Sequence, residues 1–284
     1  MRRRRSPSAS APKEERKDKE RERAFEAIAK LPRLAHEARL AELAKRLGED
    51  LELLREEFED FVGPEETADK LDPWDEPVET KALLNELTAQ LRRYVVLNDD
   101  AAVAIPLWTM FAWVHEIAVH SPLLVITSAE PDTGKTTTLG VLHRLTPQSY
   151  LAAELTGPNL YRIVDHLHPT LIVDDADRLF ERKVDLTHIV NISWTRGTKV
   201  PRQVQGTTHW FDPFCPKVLG MVGLALSPAL AGRAIVVKLW PKSPDEEIAD
   251  FRHDDDDDFV TLRRKALRWA ADNVATLNGG VAGD

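Results

Sequence analysis

Residues 121–136 have the sequence SPLLVITSAEPDTGKT, in which a short apolar run is followed by a polar loop. The apolar run, Leu123 to Thr127, is of the kind expected for a strand of a parallel sheet that is covered on both faces. After the loop, residues Thr136 to Arg144 have helical spacing that places Leu139 and Leu142 on one face. A strand, a loop and a helix in this order predict an α/β fold.

The loop between this strand and this helix ends in residue types that bind nucleotide phosphates. Its backbone N–H groups would surround the phosphate oxygens, Lys135 would reach the β- and γ-phosphates, and the Thr136 hydroxyl would bind Mg²⁺. Such a loop usually begins with glycine, and here that position holds an alanine. An ordinary strand-to-helix turn is the alternative interpretation. The predicted phosphate contacts are Ala129, Glu130, Pro131, Asp132, Thr133, Gly134, Lys135, Thr136 and Thr137.

A second apolar run, predicted as a strand from Thr170 to Asp174, ends in carboxylates. Parallel sheets bind ligands at the carboxyl ends of their strands, so these acids are expected beside the phosphate loop. Asp174 is expected to hold Mg²⁺, and Asp175 to polarise the attacking water. The predicted cofactors are therefore ATP and Mg²⁺, with Lys135, Asp174 and Asp175 as catalytic residues. A group of acids that caps a helix is the alternative.

Two basic features follow in the chain. Residues 193–202 form a basic loop in which Arg196, Lys199 and Arg202 are candidates for contact with phosphate, either of a nucleotide or of a nucleic-acid backbone. Exposed cations on a surface hairpin are the equal alternative. Arg233 precedes a buried strand, and we expect it to stabilise γ-phosphate charge in its own subunit or in a neighbouring one. Otherwise it is the partner of a salt bridge.

Composition limits the class of protein. The 284 residues are 43% hydrophobic, which is enough for one large or two modest domains with a buried core. The net charge of −9 argues against a protein that binds nucleic acid over its whole surface, although Arg2 to Arg5 form a local basic patch. The single cysteine, Cys215, excludes an internal disulfide. No apolar stretch is long enough to span a bilayer, so the cytoplasm is the expected location and no membrane partner is expected.

Changes in composition along the chain predict five parts. The apolar spacing of the second part predicts a small helical unit, either a plain helical hairpin or a helix-turn-helix. Beyond it, strands and helices alternate, which predicts a mostly parallel sheet with right-handed crossovers. The parts are a disordered charged tail (1–23), the helical unit (24–63), a linker (64–78), the α/β domain (79–245), and an acidic linker with a terminal helix (246–284).

Several of these segments together resemble a known family. The resemblance is to a helicase-like P-loop ATPase domain, which has a RecA/AAA-like fold and occurs in primase-helicase and replication proteins of phages, plasmids and mobile elements. It covers residues 80–241. It rests on Leu91 to Leu97, the loop Ser128 to Thr136, the strand Leu171 to Asp177, the segment Asn191 to Arg202, and Leu230 to Ile235.

The resemblance implies an ATPase that acts on DNA, which is expected to be single-stranded. It also implies a homo-oligomer that could form a ring, and partners among the replication proteins of the element. It also implies phosphate and Mg²⁺ binding by Lys135 and Thr136. The chain departs from the family pattern where Gly232 replaces the acid before Arg233, and where Val222 ends a strand without a polar Asn. An ATP-dependent switch without motor activity, and a DNA-binding adaptor with a vestigial loop, are therefore alternative functions.

Overall fold

The computed structural model describes most of the chain. Pro131, most of the predicted tail including Arg2 to Arg5, the first half of the predicted linker, and the helix predicted from Asn159 to His166 lie wholly or partly outside the described residues. The described residues are 17, 20–21, 23–25, 27–28, 36–62, 71–130, 132–152, 160, 163–165, 167–177, 184–204, 207–223, 226–252 and 257–279.

The chain divides into two compact units, residues 1–66 and 67–284. The first unit contains α1 (His36–Leu47) and α2 (Leu51–Val62), which pack around a small apolar cluster that includes Leu43 and Leu54. The described residues between 17 and 28 are helical as well. Helices occupy the described part of the segment predicted as a helical unit, and the five-part division of the chain remains a prediction.

The helical unit begins earlier than the sequence indicated. Lys17 donates from Nζ to the Leu47 carbonyl at 2.8 Å, and Arg21 forms an ion pair with Glu57 at 2.7 Å. These residues lie in the segment predicted to be disordered because it has almost nothing apolar to bury. A hydrogen bond and an ion pair connect these residues to α1 and α2. Such polar contacts cannot be predicted from the spacing of apolar residues.

The second unit contains a five-stranded sheet in which every pair of neighbours is parallel. The spatial order is β2-β3-β6-β1-β7, so the chain runs from β1 to one edge, returns strand by strand, and crosses β1 to reach β7. The predicted α/β fold with a mostly parallel sheet is confirmed, and the arrangement is typical of P-loop NTPases. The strands are β1 (Leu123–Ser128), β2 (Ser149–Ala152), β3 (Thr170–Val173), β6 (Lys217–Val222) and β7 (Ala234–Lys238).

Helices cover both faces of the sheet. One face packs against α3 (Thr80–Tyr94), α4 (Asp99–Trp113), α5 (Lys135–Leu145) and α8 (Asp257–Gly279), and its core includes Ile126 of β1. The other face packs against α6 (Val184–Ile192) and the short α7 (Pro228–Ala231), with Val125 in its core. Every residue of β1 is buried, as a strand covered on two faces requires.

Two local features were not specified by the sequence pattern. The apolar segment before β1 does not continue as one helix, because α4 ends at Trp113 and is followed by a short 3₁₀ turn, His115–Ile117. The basic loop continues into an antiparallel hairpin of β4 (Val200–Val204) and β5 (Thr207–Phe211), as the equal alternative interpretation of this loop expected. A two-stranded ribbon gives a weak sequence signal because few of its residues are buried.

No single helix in the described part of the chain is long and apolar enough to cross a bilayer. Together, α3 and α4 have the length and composition of a membrane span, but the chain bends by 120° between the two helices. Their apolar residues, such as Leu87 and Ile105, are fully buried in the core on one face of the sheet.

Candidate functional site

The topology of the sheet brings the two predicted motifs to the same edge. β1 ends at Ser128, where the phosphate loop begins, and β3 ends at Val173, where the acids begin. Only β6 lies between these strands, and all three run parallel. The carboxyl ends of β1 and β3 therefore face the same crevice, at the point where the strand order reverses. Ligands bind at this place in open α/β sheets.

The phosphate loop leads directly into the amino terminus of α5. Gly134 precedes the helix with a left-handed backbone (φ 83°), a conformation that glycine adopts without a steric penalty. No side chain caps this terminus, so its first backbone N–H groups remain directed at the loop. A helix amino terminus of this kind attracts anions through its N–H groups and its dipole.

Lys135 lies inside the loop that it terminates. Its side chain is buried, and Nζ donates to Ser128 Oγ at 2.7 Å and to the Glu130 carbonyl at 3.3 Å. The ammonium group is thus held between the end of β1 and the first turn of the loop. It is surrounded by backbone and by one hydroxyl, which are groups that phosphate oxygens can replace as partners.

Thr136 joins the two motifs directly. Its hydroxyl donates to Asp174 Oδ2 at 2.9 Å, across the end of the intervening strand β6. Gly220 of β6 makes this approach feasible, because a Cβ at that position would lie 3.0 Å from Asp174 Oδ1 and 2.7 Å from Leu139 Cδ1. The sequence analysis did not identify Gly220, since the need for a small residue there arises from two elements distant in the chain.

The residues present fit a phosphate group and a hard cation. Thr133 of the loop is buried, and its hydroxyl has no hydrogen-bond partner among the described residues. A buried hydroxyl without a partner is costly unless a ligand satisfies it. The Thr136 hydroxyl and the Asp174 carboxylate supply the oxygen ligands that Mg²⁺ prefers, and it usually completes its shell with water and substrate phosphate.

The other predicted residues of the loop lie in the expected place. Ala129, Glu130 and Asp132 are exposed, and Thr137 lies in the first turn of α5. Asp132 has a positive φ of 56°. Pro131 lies outside the described residues. Glu130 and Asp132 therefore place two carboxyl side chains at the mouth of the candidate site.

Asp175 adopts a left-handed backbone with φ 50°, and its N–H donates to Asp174 Oδ1 at 2.9 Å. A non-glycine residue in this conformation is uncommon and often marks a functional site. Asp177, two residues further on, accepts from the Val222 N–H at 3.3 Å at the end of β6. Val222 itself is 43% exposed, so an apolar side chain stands where a polar sensor of phosphate would be expected.

Arg233 does not reach the phosphate loop of its own chain, which corrects the expectation that it could act there. It directly precedes β7, and its carbonyl accepts from the Leu123 N–H at 3.0 Å at the amino end of β1. The phosphate loop leaves the other end of β1, about 17 Å away for six residues of a parallel strand. A role in the site of a neighbouring subunit remains a prediction.

The three candidate cations of the basic loop follow α6 in the chain, and one of them is located by its hydrogen bonds. Arg196 connects segments at the amino edge of the sheet, donating to the carbonyls of Ala118 at 2.8 Å and His115 at 3.0 Å. These bonds favour a structural role over the expected phosphate contact. Lys199 is exposed directly before β4, and Arg202 lies within β4. Their expected contact with the phosphate of a nucleotide or of nucleic acid remains a prediction.

The hairpin carries an aromatic residue that the sequence analysis missed. Trp210 of β5 is 61% exposed, and its cross-strand partner is Pro201. His209 pairs with Arg202 in the same ladder. Because side chains alternate across a strand, Trp210 and Pro201 lie on one face of the ribbon and His209 and Arg202 on the other. An exposed indole is a suitable surface for stacking a nucleobase. Only the register of the hairpin reveals these pairs, because their residues are nine and seven positions apart in the chain.

A buried polar cluster lies at the amino edge of the sheet. His115 Nε2 and Ser121 Oγ are 3.0 Å apart, and Ser121 donates to the Cys215 carbonyl at 3.0 Å. Burial lowers the pKa of His115 to about 3, helped by the positive charges of Lys217 and Arg196. Burial also raises the pKa of the Cys215 thiol. The chain therefore carries a neutral imidazole and a buried, protonated thiol at this edge.

Searches for related proteins give similarity in structure only. No protein-family model and no curated protein sequence matches this chain. Two similar structures are of the JCV helicase with a bound inhibitor or other small compound, with 13% and 14% identity, and both have a TM-score of 0.37. They cover 56% and 57% of this chain and 46% of the helicase chain.

A third similar structure is an apo form of the C-terminal region of NrS-1, with 10% identity and a TM-score of 0.41. It covers 75% of this chain and 49% of that region. The chain spans about half the length of these structures. At such identities the likeness concerns the fold alone, so the interpretation of the site depends on its own geometry.

Proposed function

We propose that this chain is a helicase-like P-loop ATPase module that acts on DNA. One observation carries the proposal: the Thr136 hydroxyl contacts the Asp174 carboxylate at 2.9 Å, so that the phosphate loop and the strand-end acids share one crevice. An ordinary strand-to-helix turn would not require a carboxylate from a second strand at that point. The buried, unpartnered hydroxyl of Thr133 supports the same interpretation.

The proposed reaction is the hydrolysis of ATP to ADP and phosphate by in-line attack of water. Lys135 binds the β- and γ-phosphate oxygens, exchanging Ser128 Oγ and the Glu130 carbonyl for them. Backbone N–H groups at the start of α5 bind the remaining phosphate oxygens. Asp175 accepts a hydrogen bond from the attacking water and orients it toward phosphorus.

Thr136 and Asp174 are the residues that would hold Mg²⁺. When bound, this ion would neutralise charge on the phosphate oxygens. Because Asp174 Oδ1 also accepts the Asp175 N–H, the carboxylate keeps a fixed orientation toward the Thr136 hydroxyl. In the described part of the chain, no group of three or more His, Cys, Asp or Glu residues could hold a metal ion by itself. This is in keeping with an ion held partly by substrate.

ATP hydrolysis by the intact chain, with and without single-stranded DNA, tests this proposal. Lys135→Ala should lower turnover at least about 100-fold, because it removes a charge that stabilises the transition state. Lys81→Ala is the control, since this lysine is exposed in the first turn of α3. Turnover unchanged by Lys135→Ala, or no ATP binding by calorimetry, would overturn the assignment.

The hairpin supports the part of the proposal that concerns DNA. Trp210→Ala should weaken binding of single-stranded DNA roughly 5- to 100-fold, because base stacking on an aromatic side chain is lost. Lys199→Ala should reduce the salt dependence of binding by about one counterion. Trp240→Ala is the matched control, as this indole is 56% exposed two residues after the end of β7 and not on the hairpin. Equal loss in both tryptophan variants would argue against a specific contact.

A second candidate function is an ATP-dependent switch that hydrolyses slowly. The specific observation in its favour is Val222, an exposed apolar residue at the end of β6, between the strands that carry Lys135 and Asp174. DNA separates the two functions, because a motor should hydrolyse ATP faster when single-stranded DNA is bound. A switch would show tight ATP binding with no stimulation of turnover.

The wider context follows the resemblance described above. We propose a homo-oligomer, such as a ring, in which Arg233 of one subunit stabilises γ-phosphate charge in the next. Its partners would be replication proteins of a phage or mobile element. The position of Arg233, at the opposite edge of the sheet from the phosphate loop of its own chain, supports an action between subunits.

A further inference from the structure

Arg233 is held at the amino edge of the sheet by a specific set of contacts. Its Nη1 donates to the Asn191 carbonyl at 2.8 Å and lies 3.4 Å from Asn191 Oδ1. Its guanidinium lies over the Trp194 ring, 5.9 Å from the centroid. The Arg233 N–H also donates to Leu230 at the end of α7. Both backbone and side chain of this arginine are therefore fixed.

The hydrogen bonds to Asn191 involve only the Nη1 group of the guanidinium. Nε and Nη2 have no hydrogen-bond acceptor among the described residues, and the residue is half-buried. An arginine that merely stabilised the fold would be expected to spend more of its five donors on neighbouring acceptors. Two donor positions remain directed away from Asn191, in the parallel geometry that binds two phosphate oxygens together.

Trp194 is itself held in place from its other side. Its ring stacks on His120 with the centroids 5.1 Å apart and an angle of 18° between the planes. The Trp194 carbonyl accepts from the Ser121 N–H at 2.9 Å, directly before β1. The Trp194 ring thus contacts both His120 and Arg233, and these contacts connect the start of β1 with the start of β7.

We infer that Asn191 and the ring of Trp194 position Arg233 so that its Nε and Nη2 bind the triphosphate held by a second copy of this chain. The inference rests on the proposed function. It assigns Asn191 and Trp194 as positioning residues, because they act through Arg233 and touch no substrate. A cation stacked on an indole keeps its charge while losing the freedom to rotate, which lowers the entropy cost of the later contact.

Charge supports a head-to-tail contact between copies. The carboxyl edge of the sheet presents Glu130, Asp132 and Asp175, all exposed, around the candidate phosphate site. The amino edge presents Arg233 and Arg196. Opposite charges at opposite edges favour an association in which one copy's amino edge faces the next copy's carboxyl edge. Repetition of such a contact builds a ring or a filament.

Mixed assemblies test the inference. In the full chain, Trp194→Leu should lower kcat roughly tenfold with little change in KM, because the phosphate loop of each chain remains intact. Trp194→Phe, which retains an aromatic face, should keep most of the activity. Trp74→Leu is the matched control, since Trp74 also lies under an arginine, with Arg264 5.2 Å from its centroid, but far along the chain from the loop.

Mixing Trp194→Leu with Lys135→Ala should restore turnover, because the intact phosphate loops of the first variant then receive a well-placed Arg233 from the second. Arg233→Ala should be rescued in the same way. Adding Trp194→Leu to Arg233→Ala should cause no further loss, since both changes remove one interaction. Sedimentation with a non-hydrolysable ATP analogue gives a second measurement, in which both variants should weaken nucleotide-dependent assembly.

The outcomes separate the inference from the proposed function. If Arg233→Ala lowers turnover while Trp194→Leu behaves as Trp74→Leu does, the positioning role is wrong and the proposed function stands. Loss in Trp194→Leu without rescue by Lys135→Ala would indicate a structural defect and would also overturn the inference. If the chain binds no ATP, the proposed ATPase function is wrong and the inference fails with it. If Arg233→Ala changes neither turnover nor assembly, the proposed action of Arg233 between subunits is wrong, and the inference fails while ATP hydrolysis stands.

Discussion

Single residues decide whether the crevice can bind a nucleotide. Lys135, Thr136 and Asp174 lie together as the sequence predicted, and the contact between Thr136 and Asp174 connects them. Arg233, predicted for the same site, lies at the other edge of the sheet. The difference is physical: the first three follow strands at their carboxyl ends, whereas Arg233 precedes a strand at its amino end.

One residue also makes the fold sensitive to pH. The pKa of His115 is lowered to about 3, mainly by burial and further by Lys217 and Arg196. The unfolded chain binds a proton near pH 6.5, whereas the folded chain resists it until about pH 3. The stability contributed by neutral His115 is therefore complete above the unfolded pKa and is lost as pH falls through this interval.

We predict that the free energy of unfolding falls by about 2 kcal/mol between pH 6.5 and pH 5 through this residue, at about 1.4 kcal/mol per pH unit. Denaturant unfolding at several pH values measures it. His115→Gln, which keeps a polar group near Ser121, should reduce the dependence in this range. His209→Gln, an exposed histidine of the hairpin, should leave it unchanged. Identical pH profiles for both variants would contradict the prediction.

At the scale of elements, β6 determines how closely the loop helix and the acids approach. It lies between β1 and β3, and Gly220 leaves room for both Leu139 of α5 and the Asp174 carboxylate. The strand was predicted from its apolar pattern, yet its position between the two motifs was not. Strand order depends on crossovers between distant segments, which a single sequence pattern does not encode.

Gly220→Ala tests this role of β6. The added Cβ would lie 3.0 Å from Asp174 Oδ1, so the carboxylate should shift away from Thr136 and turnover should fall about tenfold or more. Gly140→Ala is the control, because its Cβ would meet Phe251 Cε1 at 2.7 Å on the far side of α5. Thermal unfolding should show destabilisation of both variants. Equal turnover in the two would show that crowding at Asp174 has no special effect.

At the scale of the whole molecule, the groups proposed to act on ATP lie at two opposite edges of the sheet. The phosphate loop and the acids occupy the carboxyl edge, while Arg233 occupies the amino edge of the same chain. A site that needs both groups is complete only where two copies meet. The activity of this protein should therefore be a property of the assembly and not of one chain.

We predict that ATP turnover per chain rises with protein concentration and reaches a plateau as assembly completes. The physical reason is that each site takes its Arg233 from a neighbour, so the population of complete sites follows mass action. Steady-state phosphate release over a range of concentrations, together with sedimentation, measures this. Arg233→Ala should show low turnover at every concentration. Constant turnover per chain in dilute solution would indicate a site that is complete within one copy.

The sequence by itself determined the α/β class, the approximate position of the core strands and helices, and which residues form the candidate phosphate loop and the strand-end acids. These follow from local properties: apolar periodicity, helix starts, and residue types whose chemistry suits phosphate. The helical unit around α1 and α2 was equally visible. Each of these features is encoded within a window of about 20 residues or fewer.

Only the tertiary structure decided which of these residues meet. It brought Asp174 to Thr136, separated Arg233 from both, made room at Gly220, and exposed Trp210 on a hairpin. Each of these results depends on the strand order or on the register between segments far apart in the chain. Such contacts arise from packing the whole sheet and its helices at once, so no local pattern specifies them.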